Sequence, residues 1–396
     1  MEIIKPGRVF DFMRYRKAAV VTSSILVVLS VLSVFWPGPN YGIDFTGGTE
    51  VQLRFRGDVS TAELRETIEE LGYASPDVIA VQGGADNEYI VRVREVSTLA
   101  PDIEQSLVAA LESELAGNEV IALRVSPGGD KVSVRLDGSA DPSEIAAALE
   151  AGGVSLRGNV VRFGPESDFR YEATLVGVAD RLVDQLGDRL GERGPEDPLR
   201  IEWVGPRAGA QLRASALKAI LYAIAFIMVY VAFRFDLRFA PGGIIALVHD
   251  ALITVGVLVL VQREFNLTTV ASLLTIIGYS INDTIVIYDR IRENTARYRG
   301  KSMSELINIS TSEMLSRTII TSGITLLAIV PFFIWGTQVI QDIAFALFVG
   351  FIAGVYSTIF IAAPITEWFD RVIFAKARER ARAAARGRAQ SAEAMP

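Results

Sequence analysis

The sequence predicts an integral membrane protein: an all-α bundle of six spanning helices with one large α+β domain outside the membrane. Two observations lead there. Six apolar runs have the length of a hydrocarbon crossing, which takes about 20 helical residues. Residues 37–214 instead carry 17 basic and 31 acidic side chains, whereas the rest of the chain carries 22 and 15. Such asymmetry within 396 residues assigns the two parts to different surroundings.

The runs lie at 18–36, 215–233, 242–261, 268–288, 318–335 and 342–363. The first ends in Trp36-Pro37-Gly38-Pro39 with no small-x-small cleavage pattern, so it reads as a retained span rather than a signal peptide. Lys and Arg crowd the 1–17 flank, the 234–238 and 290–301 links and the 364–396 tail, while the opposite loops hold only Arg263. The positive-inside bias then puts both termini in the cytoplasm and 37–214 outside. A domain that long crosses regardless of its own charge.

Within the outer domain, 51–55 alternates as a strand, and 61–71 spaces Leu64, Ile68 and Leu71 as a helix. Strands follow at 78–81 and 89–93 around a Gly83-Gly84 turn, then a helix at 101–115 opened by Pro101. The pattern recurs. Residues 132–136 match 51–55 at an offset of 81, 143–149 echo 62–68, and Gly138 and Gly153 fall where Gly57 and Gly72 fell. Residues 160–163, 170–174 and 175–190 repeat the strand–strand–helix tail. Self-similarity of this kind outranks local assignments. It predicts two tandem βαββα(β) units of ferredoxin-like type, 50–125 and 131–204, against the alternative of two unrelated α+β modules.

No cysteine and one histidine exclude disulfides, thiolate catalysis, Cys-based metal sites and His-rich ones. The acidic outer domain argues against nucleic acid as a partner. Residues 295–302 read TARYRGKS, with threonine where a P-loop needs its first glycine, and follow no strand. Gly278-Tyr279-Ser280-Ile281-Asn282 lacks the last glycine of a nucleophile elbow and lies inside a span. No enzymatic site and no cofactor are expected.

Charge inside the spans is the strongest functional signal. Asp283 lies in span four, roughly 9 Å from its inner end, and span three carries His249 and Asp250, the latter roughly 12 Å deep. A carboxylate in such a place costs on the order of 2.5–3.5 kcal/mol and normally faces a bundle interior or a watery ion path. Arg317 stands where span five begins on the same side, followed by Thr318, Thr321 and Ser322. Asp283 is thus a candidate proton carrier and Arg317 its fixed positive partner. His249, Asp250, Asn282 and Thr321 are supporting positions. The plainer readings are a packing carboxyl at 283, snorkelling at 317 and a structural hydrogen bond at 249. In span six, Ala346, Gly350, Gly354, Thr358 and Ala362 recur every four residues. Such a stripe serves close packing within the chain or against a separate subunit. The basic stretch 371–388 suits anionic lipid.

Just outside the first span, Tyr41-Gly42-Ile43-Asp44-Phe45-Thr46-Gly47-Gly48-Thr49 resembles the signature of the SecD/SecF family of export proteins. Residues 278–294, 247–250, Val204-Gly205-Pro206 and Ser316-Arg317-Thr318-Ile319-Ile320-Thr321-Ser322 resemble its SecF branch. The resemblance implies an accessory subunit of the bacterial Sec translocase in the cytoplasmic (inner) membrane, within the RND superfamily. Its partners would be a SecD-like subunit, a SecYEG-type channel and secretory preproteins, and the proton-motive force would be its energy source. It also implies that Asp283 and Arg317 take part in proton movement and that Gly42, Asp44, Gly47, Gly48 and Thr49 form the signature loop. Physically, that loop is a tight turn at the membrane surface. The outer domain departs from the family, which usually has a single ferredoxin-like unit of about half this length. Outside the resemblance stand one half of an RND-type efflux or lipid transporter, and a non-transporting scaffold.

Overall fold

The computed structural model describes residues 7–374 apart from 82–86, 101, 116, 166–167 and 236–237. The Gly83-Gly84 turn and most of the basic tail therefore lie outside the described residues. The chain divides into a membrane unit, Met1–Asn40 with Ser215–Pro396, and an outer unit, Tyr41–Ala214.

Helix α1 (Arg16–Phe35) is the first span. The chain continues through β1 (Asn40–Tyr41), α2 (Ile43–Thr46), β2 (Gly48–Arg54), α3 (Thr61–Glu70), β3 (Asp77–Ala80) and β4 (Glu88–Val93). Next come α4 (Ile103–Glu114), β5 (Val120–Val125), β6 (Lys131–Leu136), α5 (Pro142–Ala151), β7 (Val161–Phe163), β8 (Arg170–Thr174), α6 (Val178–Leu190) and β9 (Arg200–Val204). Local chemistry sets the helix starts. The Ser60 hydroxyl accepts from the Glu63 amide to cap α3, and Asp141 caps α5 just before Pro142.

Two four-stranded antiparallel sheets result, in the orders β3-β4-β2-β9 and β5-β6-β8-β7. Each order is ferredoxin-like. The tails, however, change places relative to the expected 50–125 and 131–204 units. Strand β9 closes the first sheet, with Val51 opposite Ile201, while β5 joins the second, with Leu123 opposite Val134. The helices follow their strands. Leu182 and Leu186 of α6 share a core with Leu64, Ile68 and Val51, whereas Leu107 and Leu111 of α4 share one with Ile145, Val134 and Tyr171. Both tails are an amphipathic helix followed by a strand, so either sheet can bury either one. The arrangement found sets Gly48 opposite Val204, which brings the two ends of the outer unit side by side. The second sheet is thereby an insertion between β4 and α6.

The membrane unit continues with α7 (Pro206–Arg234), α8 (Ala240–Leu260), β10 (Glu264–Phe265), α9 (Leu267–Arg297), α10 (Met303–Trp335) and α11 (Gln338–Ser357). A π-helical stretch, Thr358–Ala362, leads into α12 (Ala363–Phe369). Among the described residues, six helical stretches are long and apolar enough to cross a membrane. Helices α9 and α10, at 31 and 33 residues, outrun their apolar windows. Arg317 therefore lies within α10, immediately before its apolar stretch 318–335. The segment before it is amphipathic, burying Leu306, Ile307 and Ser310, and hydropathy does not mark it. The small-residue stripe of α11 packs within the chain: a Cβ on Gly350 would stand 2.3 Å from Ile276, and one on Gly354 would stand 3.1 Å from Ser280.

Candidate functional site

Close approach of α8, α9 and α11 gathers the polar side chains of the membrane unit. Asp250 on α8 is fully buried. Its Oδ2 accepts from the Ser280 hydroxyl of α9 at 2.6 Å and from the Ser357 hydroxyl of α11 at 2.8 Å. Its Oδ1 lies 3.0 Å from His249 Nδ1. Three helices thus converge on one carboxylate, and every contact is a hydroxyl or an imidazole. The His249 ring stacks on Tyr356, and its Nε2 is buried without a partner. Tyr356 in turn reaches α1, donating to the Ala19 carbonyl and accepting from Ser23.

One turn further along α9, Asp283 is buried and accepts from the Ser322 hydroxyl of α10 at 3.2 Å. Thr284 beside it meets Thr358, the first residue of the π-helical stretch, at 3.0 Å. A further turn on, Tyr288 accepts from Thr366. Polar residues therefore recur on α9 at positions 280, 283, 284 and 288, a spacing that keeps them on one buried face. π-helical turns concentrate at functional sites because they reposition side chains by one residue.

The predicted residues separate. Asp283, His249 and Asp250 enter this interior. Arg317 is exposed and forms no ion pair with Asp283; only its charge reaches the carboxylate. Asn282 and Thr321 are also exposed, and the Thr321 hydroxyl is spent on the Arg317 carbonyl of its own helix. The partners that matter most, Ser280, Ser357 and Ser322, are small hydroxyls. The i, i+3, i+4 spacing of 280, 283 and 284 is a signal that could have found Ser280. Nothing in the sequence points to the stacking of Tyr356 on His249.

In the outer unit, the signature loop is built for backbone proximity. Gly42 precedes α2, whose first turn holds Asp44, and Gly47 and Gly48 follow with φ of 73° and 129°. A Cβ on Gly48 would stand 2.5 Å from the Val93 carbonyl, and one on Gly47 would stand 2.8 Å from Pro206 Cα. Thr49 then donates to the Glu95 carbonyl. No side chain other than glycine's hydrogen fits the left-handed backbone at this spacing.

Comparison with known proteins finds matches over the stretches that hold both regions. The family model described as "Protein export membrane protein SecD/SecF, C-terminal" matches residues 193–372, and the "SecD/SecF GG Motif" matches 34–59. The protein translocase subunit SecF of Desulfurispirillum indicum is 36% identical over 91% of this chain and 92% of its own. That of Magnetococcus marinus is 33% identical over 93% and 95%. The crystal structure of SecDF, a translocon-associated membrane protein from Thermus thermophilus, superposes with a TM-score of 0.60 at 30% identity, covering 91% of this chain. This chain spans only 38% of that longer one. The six spans and these matches together define a multi-pass membrane protein of the export type. The chain belongs to the SecF branch of the SecD/SecF family.

Proposed function

We propose that the chain is an accessory subunit of the Sec protein translocase in the bacterial inner membrane. It works with a SecD-like subunit and a SecYEG-type channel, and the proton-motive force drives its help to emerging preproteins. It carries out no covalent chemistry. The observation that supports proton coupling is Asp283, a membrane-buried carboxylate whose hydrogen-bonding partner is a neutral hydroxyl rather than a cation. Protonation of Asp283 removes the charge that Ser322 satisfies, and so changes how α9 holds α10. A charge crossing 100 mV is worth about 2.3 kcal/mol, enough to bias a two-state contact substantially. Asp250, with two hydroxyls and an imidazole, is the fixed polar anchor beside it. Both termini are cytoplasmic in this reading, and the outer unit is the part that meets the preprotein.

The reading is tested on the tagged chain purified from membranes. Retention of a SecD-like subunit, with gradient-stimulated movement of a preprotein in vesicles, supports it. Gradient-driven movement of small apolar cations in the absence of preprotein would sink it in favour of efflux.

A further inference from the structure

We propose that the groove between α1 and the end of α12 binds one anionic phospholipid, with its headgroup at Lys17 and Arg371 and an acyl chain running along α1 toward His249. Two adjoining cavities form this groove. The first, about 730 Å³, has Arg16, Lys17, Glu367 and Arg371 around its mouth and Val20, Val21 and Ile365 in its walls. The second, about 340 Å³, shares Val20 and Ile365 with the first. It continues past Val27, Val248 and Leu252 to His249. Both volumes fall in the roughly 300–1,000 Å³ range of ligand sites.

Charge selects the occupant. Glu367 pairs with Arg16 at 3.1 Å, which leaves Lys17 and Arg371 exposed at the mouth as two positive charges. A soluble polyanion would satisfy those cations but leave the apolar walls wet. A neutral lipid, or an apolar helix of another subunit, would cover the walls but leave the cations unanswered. A ligand with a negative head and a hydrocarbon chain satisfies both, and basic pockets between spanning helices bind headgroups of this kind. Trp368 lines the same mouth, the position at which tryptophan marks a membrane interface.

Trp368 also supplies the test. The full chain, with Trp36, Trp203 and Trp335 replaced by phenylalanine, is reconstituted in phosphatidylcholine vesicles. Phosphatidylglycerol brominated on its acyl chains near the glycerol end is titrated in, with brominated phosphatidylcholine as control. Half-maximal quenching of Trp368 is expected at a roughly tenfold lower mole fraction of the anionic lipid, the scale of one to two basic contacts. The double variant Lys17→Gln, Arg371→Gln should abolish that preference, while truncation after residue 374 should preserve it. Equal quenching by both lipids, or a preference that survives in the double variant, overturns the proposal. Loss of the preference on truncation assigns it to the tail instead and overturns the groove. A photocrosslinker placed at position 20 should capture lipid; capture of a polypeptide there overturns the lipid occupant.

Discussion

Asp283 on α9 is joined to Ser322 on α10 by a 3.2 Å hydrogen bond that belongs to a ladder. Tyr279 meets Thr325 on one side of it, and Arg290 with Glu313 and Asn294 with Ser310 follow on the other. The register is that of an antiparallel helical hairpin. Arg290 and Glu313 form an ion pair, while Asp283 has a hydroxyl only, so its rung is the one that a proton would remake. Ser322→Ala removes the donor while keeping the packing, a loss of about 1.5–3 kcal/mol for a bond to a charged group. Gradient-stimulated export is expected to fall several-fold and its pH midpoint to move. Arg317→Gln leaves the rung intact, so thermal stability should stay within about 0.5 kcal/mol of the unaltered protein. Melting curves of both variants in detergent check this contrast.

Asp250 should behave as an anchor. Asp250→Leu takes the side-chain partner from His249 and the carboxylate acceptor from Ser280 and Ser357 in a dry interior, leaving the serines only backbone carbonyls such as that of Gly354. Each buried polar group left unsatisfied costs about 1–3 kcal/mol. The variant is expected to accumulate poorly. Asp250→Asn keeps a hydrogen-bonding group of the same shape and should reach near-normal levels. Quantitative immunoblotting of membranes at matched expression distinguishes the two.

The contact of Gly350 with Ile276 predicts a rescue. Gly350→Ala places a methyl group 2.3 Å from the isoleucine and should destabilise by about 1–3 kcal/mol. Adding Ile276→Val should recover part of that loss, because the two sites share one space. Thermal denaturation of the single and double variants measures the coupling. Additive losses would show that the helices shift rather than collide.

How much of this was legible in the sequence follows the physics of each signal. Hydropathy marked the six spans because each must cover its whole circumference in apolar side chains. It missed the early half of α10, since Met303–Ser316 needs only one apolar face. The exchanged tails were illegible for another reason. Helices α4 and α6 carry similar apolar faces, and the choice between sheets is made by long-range pairs such as Val51 with Ile201. Asp283, Asp250 and His249 stood out as costly polar groups in apolar runs. Ser280 and Ser357 did not, because a serine in a membrane helix can satisfy itself on its own backbone.

The outer unit should show a small acid-side weakness. The Arg193 guanidinium, hydrogen-bonded to Glu63 at 2.8 Å, holds that carboxyl below its usual value. A folded value below the unfolded one means the contribution is fully present above the ordinary carboxylate pKa, about 4.3, and is lost as pH falls through the depressed value. Glu63→Gln should flatten that part of the stability–pH curve and leave neutral pH little changed. Proteolysis of the outer unit between pH 3 and 7, about the window set by ordinary carboxylates, follows it.

The central claim is that a proton on Asp283 couples the gradient to export. Its most direct test reconstitutes the chain with its SecD-like partner and the channel, and compares preprotein export with and without an imposed proton gradient. The account predicts stimulation with Asp283 and none with Asp283→Asn at equal protein levels. Equal stimulation in both would contradict it and leave Asp283 as a packing residue between α9 and α10.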